Sequence, residues 1–502
     1  MTDIDALVRE RAVLRPDTQA FVDPYGSITW CEFDRAADEV AAMLADHGIG
    51  PGDRVGWLGP NTVGYPITLL GTWRRGASIV GLNFRLPPAE LAAMTADIDL
   101  AHVVIDPRFA DLGAHVAART RNVADPTVDR ASPGSPPAYE TVWGAAGSEA
   151  MIYFTSGSTG HPKAVPLTRS AVDATMRQSD VHKFGPDSRV LIIPPSFHAA
   201  GASWNNFGLY HGYTSVFTDD ASPTGIVAVL SREQITHTIM VPTLIHSLVE
   251  EVKRTPTALP ALEHIGYGAS PITRHLLDEA MALLGCEFGQ VYGLSETGGG
   301  VSFLWPEDHV GDHRQRLSSA GRVGAGIDVE VRAPDGTVLP SGEAGELWFR
   351  SPCLTLGYLN DPEATARVLV DGWLNTRDVG FLDADGYIYV QGRSDDMIQT
   401  GGENVHPQAV EEVLIAMPGV AECAVFGAPD SHWGQRVVVA IVVSPTGDAA
   451  AVTESAVARW CTGRVAGYAV PKSVVILDEL PRTASGKVKR TALVRAFTSV
   501  GR

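Results

Sequence analysis

Apolar residues at Phe33, Ala37, Val40 and Leu44 follow the spacing i, i+4, i+7, i+11, which predicts a helix with one apolar face. Short β-branched runs separate such segments through about the first hundred residues, and strand–helix alternation of this kind favours parallel sheets covered on both faces. The stretch from about Asp125 to Gly147, with Pro126, Pro133, Pro136 and Pro137, has no period and reads as a connecting loop. From Met151 the alternation resumes, with predicted strands at Val190–Ile193, Thr214–Phe217, His237–Met240 and Glu287–Val291. A helix opened by Pro271 would place Leu276, Ala280, Leu283 and Leu284 on one side.

After about Ser318 the pattern changes to hairpins, with Asp335-Gly336 and Asp385-Gly386 each lying between alternating runs. Beyond Arg393 the pattern is compact α+β: a helix from Pro407 to Met417, strands around Ala424–Phe426 and Val437–Val442, then more helix. The expected fold is therefore α/β. Residues 1–393 form a large N-terminal domain of βα layers with parallel sheets plus a hairpin-rich subdomain, and residues 394–502 form a small α+β C-terminal domain.

A length of 502 residues exceeds what one ordinary core serves, in keeping with two domains. The net charge of −19 disfavours non-specific attachment to nucleic acid or an anionic membrane, so a polyanionic ligand needs a local cationic pocket. Cys31, Cys286, Cys353, Cys423 and Cys461 are scattered, with no Cys-x-x-Cys pair and no His-Glu-x-x-His, which argues against zinc and fits a reducing compartment. The amino terminus carries acid where a signal peptide carries base, and no apolar run is long enough to cross a bilayer. A cytoplasmic location is expected.

The most informative segment runs Tyr153-Phe154-Thr155-Ser156-Gly157-Ser158-Thr159-Gly160-His161-Pro162-Lys163, an apolar strand entering hydroxyls and glycines, with a helix pattern soon after. Glycines let backbone N–H groups approach an anion, hydroxyls donate further hydrogen bonds and Lys163 adds charge, so a phosphate chain is the natural ligand. Gly160 and Lys163 are not adjacent and Ala164 follows the lysine, which excludes a Walker A loop.

Residues 153–165 resemble the phosphate loop of the adenylate-forming superfamily of acyl-CoA synthetases, luciferases and peptide-synthetase adenylation domains. More of that family's motifs follow in its order. Gly266-Tyr267-Gly268-Ala269-Ser270-Pro271 resembles its adenine-side loop, and Tyr292-Gly293-Leu294-Ser295-Glu296-Thr297 its aromatic-glycine-acid motif. Gly372 to Asp378 resembles the ribose-binding segment, Gly392-Arg393-Ser394-Asp395 the hinge, Gly401-Gly402-Glu403-Asn404 the acceptor loop, and Pro481 to Lys487 the carboxyl-terminal lysine motif. Ala164 and Arg377 depart from the pattern, each standing where the family commonly has glycine; the guanidinium of Arg377 has Asp378 or a nucleotide phosphate as candidate partners.

The resemblance implies ATP, Mg²⁺ and CoA as cofactors, a small-molecule carboxylic acid as substrate and a mobile C-terminal domain. It places Thr155, Ser156, Gly157, Ser158, Thr159, Gly160 and Lys163 on the phosphates, and Gly268, Ala269, Ser270, Tyr292, Gly293 and Ser295 around the nucleotide. Asp378 and Arg393 are assigned to ribose and phosphate, and Glu296 to Mg²⁺ held through the phosphates. By the same resemblance Lys487 is the candidate to bridge carboxylate and α-phosphate. Two like unit charges at 4 Å repel by about 4 kcal/mol at an effective dielectric of 20, so such a cation is required. Asp395 is the implied pivot, with Asp396 beside it as surface charge. Gly401, Gly402 and Trp433 line the implied thiol tunnel.

Pro195-Ser196-Phe197-His198 places a histidine where amino-acid-activating relatives carry aspartate, so an α-amino acid is disfavoured. By resemblance His198 gates the carboxylate, with Phe197, Gly201, Trp204 and Gly298 around the acyl group and Phe207 narrowing the pocket. The leading function is acid–CoA ligase acting on a fatty or aromatic acid. Delivery to a carrier protein in trans or to a nitrogen nucleophile is the alternative within the family. Outside that function stand an α/β hydrolase, for which Gly293-Leu294-Ser295 begins an elbow that lacks its last glycine, and an inert nucleotide-binding homologue.

Overall fold

The computed structural model describes residues 2–123, 141–155, 162–430, 432–444, 452–482 and 488–500. The proline-rich loop after Asp125 lies mostly outside this set. Two compact units emerge, one from Met1–Asp328 with Phe349–Leu374, the other from Val329–Trp348 with Asn375–Arg502. The fold is α/β, as the alternation predicts.

In the first unit a nine-stranded sheet has the parallel strands Glu287–Leu294, His264–Gly268, His237–Met240, Arg189–Ile192, Thr214–Val216 and Gln19–Asp23 as successive neighbours. Antiparallel strands close both edges. A second, six-stranded sheet runs in the order Ala118–Val123, Leu100–Ile105, Arg54–Leu58, Ser78–Leu82, Glu149–Thr155, Lys163–Thr168, parallel except for the last pair. Parallel strands buried on both faces need continuous apolar runs, and Ser78–Leu82 and Leu100–Ile105 are buried at every position.

The helix read from Phe33, Ala37, Val40 and Leu44 spans Trp30–Asp46, and all four are buried. Its start is fixed by a capping box, in which the Glu32 backbone N–H donates to Thr29 Oγ1 and Glu32 receives the Thr29 N–H. Burial of Phe33, Val40 and Leu44 contributes about 1.5–3 kcal/mol each relative to exposure. Against it lies Gly64–Arg74, buried throughout, whose last residue brings a fully buried guanidinium to Asp5, Asp34 and Asp38. Those carboxylates raise the Arg74 pKa against the opposing effect of burial. Removing one partner of such a cluster costs about 3–5 kcal/mol, so it ties three helices together.

The helix expected at Pro271 begins later. Thr273 is its N-cap, the helix is Arg274–Leu284, and Leu277, Ala280 and Leu284 face inward while Leu283 is exposed. The threonine side chain, which receives the Leu276 N–H, defines the start better than the proline does.

In the second unit strand Trp373–Leu382, from Asn375 onward, pairs with Ile388–Arg393 around the expected Asp385-Gly386 turn. Farther along, Val420–Asp430 and Gly434–Val443 form a long hairpin, extended by Ile398–Thr400, Glu403–Val405 and Ser473–Leu477. Alternation along the hairpin divides its side chains between two cores. Val425, Val437, Val439 and Ile441 face one, Ala424, Phe426, Val438 and Ala440 the other.

Candidate active site

Thr155 ends one strand and Lys163 begins its antiparallel neighbour, paired directly across. The phosphate-loop segment therefore joins two strands, and the helix comes only at Arg169–Arg177, because Lys163–Thr168 continues as an apolar strand. Ser156, Gly157, Ser158, Thr159 and Gly160 lie outside the described residues, as does Lys487.

Lys163 Nζ stands 4.6 Å from the ring centroid of Tyr358, whose hydroxyl donates to Glu296 Oε1 at 2.7 Å. A loop cation and the motif carboxylate thus meet through one aromatic side chain. Tyr358 was not distinguished by sequence, since it lies in an aperiodic stretch where a single tyrosine carries no pattern. It is anchored by its own N–H to Thr365 Oγ1, while Thr355 N–H donates to the Glu296 carbonyl.

The Glu296 turn follows strand Glu287–Leu294 and is closed by Thr297, whose hydroxyl oxygen receives the Leu294 N–H. Gly268 lies opposite Val291 in the adjacent strand, so Ala269 and Ser270 come off the sheet beside Tyr292. Ala269 holds a left-handed φ of 66°, and the half-buried Tyr292 ring is 6.0 Å from that of Phe349. The register with the antiparallel strand Gly299–Leu304 shifts between Tyr292 and Gly293, leaving Val301 as the extra residue on that partner strand, and Ser295 opens the next turn.

His198 is the N-cap residue of helix Ala199–His211, its ring 4.5 Å from that of Phe197. Asn61, which no motif indicated, fixes the approach. It donates to the carbonyls of Ile192 and Pro194 and accepts from the Ser196 N–H and hydroxyl. Gly201 packs on the Pro194 and Pro195 carbonyls. From the same helix Ser203 donates to the Gly298 carbonyl, so the His198 and Glu296 segments are joined.

Trp204 and Phe207 are buried, and behind them is a histidine cluster that the sequence did not reveal. The His182 ring is 4.7 Å from Trp204, and its Nδ1 is 3.1 Å from His264 Nε2. His237 lies beside His264 across paired strands. Burial pushes His182 well below its usual value, His237 to about 4 and His264 to about 3, the last helped by the neighbouring His237. Gly266 and Gly289 make room for the rings, since a Cβ at either would lie 2.9 Å from an imidazole carbon.

In the second unit Asp378 is buried, and Arg393, opposite it in the strand pair, brings Nε to 3.3 Å from its Oδ1. Arg377 pairs with Asp395 rather than Asp378, at 3.5 Å. Asp396, expected to be plain surface charge, accepts from Arg490 at 3.2 Å. Gly401 donates its N–H to the Trp433 carbonyl, and a Cβ there would meet the indole at 2.8 Å. Gly402 follows with a left-handed φ of 86°. Lys472 Nζ covers the other part of this surface, 3.6 Å from the Trp433 ring centroid.

Among the described residues no group of three or more His, Cys, Asp or Glu could hold a metal, and no helix is long and apolar enough to cross a membrane. All five cysteines are free thiols.

Comparison with known proteins matches residues 8–359 to the AMP-binding enzyme family and 409–487 to the AMP-binding enzyme C-terminal domain. A feruloyl-CoA synthase from an Amycolatopsis species is 34% identical, over 97% of each chain. The long-chain-fatty-acid–CoA ligase FadD13 of Mycobacterium tuberculosis is 32% identical, over 99% of each. Among solved structures, the amide bond synthetase McbA from Marinactinospora thermotolerans superimposes with a TM-score of 0.88, at 28% identity over 99% of this chain and 100% of that one.

Proposed function

The chain belongs to the AMP-binding enzyme family, and from that premise we propose that it is an AMP-forming acid–CoA ligase acting on a fatty or aromatic acid. A carboxylate oxygen attacks the α-phosphorus of ATP and pyrophosphate leaves. The thiol of CoA then attacks the acyl carbon and AMP leaves. The meeting of Lys163, Tyr358 and Glu296 carries this reading, because it joins the lysine that ends the hydroxyl-glycine sequence motif to a carboxylate suited to Mg²⁺.

Lys487 is assigned to neutralise the repulsion between carboxylate and α-phosphate, worth about 4 kcal/mol at an effective dielectric of 20. Glu296 suits Mg²⁺, which commonly takes one or two carboxylates and completes its shell with phosphate oxygens and water. When bound, that ion supplies charge neutralisation on the phosphates. Tyr358 orients the carboxylate for that task, and Lys163 is the loop's own charge. Tyr292 offers a face to adenine, while Asp378 accepts from ribose hydroxyls with Arg393 beside it. His198 sits at the carboxylate end of the acyl site, Trp204 at its far end.

The second half-reaction is assigned to the acceptor loop at Gly401 and Gly402, next to Trp433, with 394–502 as the moving domain and Asp395 as its pivot. The likeness to an amide bond synthetase supports a second reading, in which a nitrogen nucleophile takes the place of CoA. Carboxylate-dependent exchange of labelled pyrophosphate into ATP tests adenylation across a panel of aryl and fatty acids. Adding CoA or an amine then identifies the acceptor: thioester with CoA supports the ligase, amide without thioester overturns it, and no exchange with any acid overturns adenylation.

A further inference from the structure

Arg377 and Asp395 form an ion pair that joins the strand before Asp378 to the turn after Arg393. Arg377 has a left-handed φ of 61°, a conformation that favours glycine. Local hydrogen bonds impose it. The Arg377 N–H donates to Asn375 Oδ1 at 2.8 Å, the Asp378 N–H to Thr376 Oγ1 at 3.0 Å, and Thr376 Oγ1 to the Leu347 carbonyl at 2.8 Å. The guanidinium is thereby launched sideways from its strand. Its Nε is buried and finds no hydrogen-bond partner, so the orientation is maintained at Nη1, on Asp395.

Ser394–Asp396 is a single 3-10 turn closed by a long Met397 N–H to Ser394 carbonyl bond of 3.4 Å. Its two acids are held from different directions. Asp395 is held by Arg377, on the strand Trp373–Leu382, and Asp396 by Arg490, at the start of the last helix, which also grips Glu411. A turn with one weak internal bond and two external tethers changes its dihedral angles only if a tether is released. The Arg490 tether is reinforced by Glu411; the Arg377 tether, at 3.5 Å between partly exposed groups, is the weaker one.

The geometry points to Arg377 as a positioning residue that latches this turn and biases the alternation between the two half-reactions. The inference rests on the reading of Asp395 as the pivot. Release of the latch is a loss of one ion pair and its hydrogen bond, with no covalent bond made or broken.

The test compares full-length wild type with Arg377→Gln, Asp395→Asn, the double variant and Arg377→Lys. Hydrogen–deuterium exchange reads the 394–397 amides directly, without any reaction. A gain of about two- to fivefold is expected in each single neutral variant, the scale of an exposed ion pair, with no further gain in the double and recovery in Arg377→Lys. The ratio of the adenylation rate to the rate of thioester formation from supplied acyl-adenylate should shift by a similar factor. In the wild type, rising salt should move that ratio toward the variant value. Unchanged exchange, additive singles, or faster exchange with an unchanged ratio would each overturn the latch. A wild type lacking both half-reactions would instead overturn the proposed function, while the exchange measurement still decided whether Arg377 holds the turn.

Discussion

The hydroxyl of Tyr358 donates to the Glu296 carboxylate at 2.7 Å while its ring lies under the Lys163 ammonium. One side chain thus orients an acid through its edge and a cation through its face. Hydrogen bonds to charged groups contribute about 1.5–3 kcal/mol and a cation–π contact about 0.5–2. Tyr358→Phe keeps the ring and loses the hydroxyl, so pyrophosphate exchange should fall about tenfold or more, with Tyr358→Ala lower still. Equal activity in Phe and wild type would remove the hydroxyl from the mechanism.

Lys487→Ala should abolish adenylation while sparing thioester formation from supplied acyl-adenylate. Leaving about 4 kcal/mol of like-charge repulsion unmatched corresponds to about a thousandfold in rate. Single-turnover assays of the two steps separate the effects, and parallel loss of both would contradict the division of labour.

Acid should weaken the first unit through its histidine cluster. Burial depresses the pKa of His182, His237 and His264, so the unfolded chain binds more protons than the folded one below about pH 6.5. Their contribution is intact above that pH and declines as pH falls toward about 4 for His237 and about 3 for His264. At pH 5 each histidine kept neutral costs up to about 2 kcal/mol. Denaturant midpoints at pH 7 and 5 measure the loss, and His182→Phe should reduce the difference.

Trp204→Ala should destabilise by about 3–5 kcal/mol, the scale of an emptied aromatic site. If Trp204 bounds the acyl site, the variant should also shift the preferred acid toward longer or bulkier chains in the pyrophosphate-exchange panel. Lost stability with an unchanged preference order would assign the indole to the core alone.

Asp395→Pro fixes φ at the pivot and also restricts Ser394. The step that requires rotation should slow more than the other half-reaction. Unchanged rates in both would remove Asp395 from that role.

Glu296, His198 and Asp378 were singled out by resemblance to family motifs, and their roles are those proposed above. The Trp30–Asp46 helix was legible from its apolar period and the Asp385-Gly386 hairpin from its turn dipeptide. Tyr358 and Asn61 were not, since each reaches its partner across the sequence, 62 positions away for Glu296 and 135 for Ser196. The histidine cluster is invisible for the same reason: strand register, not spacing, sets His237 beside His264. Pro271 misled by one turn, because a threonine cap two positions later governs where the helix begins.

The first unit is discontinuous: it stops at Asp328 and returns at Phe349. During synthesis Glu296 leaves the ribosome long before the phenol that orients it, so the nascent chain must wait for Leu374 before that unit is whole. The second unit has the complementary problem, since Val329–Trp348 precedes the rest of it. Neither unit is a single stretch of chain, so cutting either one out whole takes more than one break in the backbone.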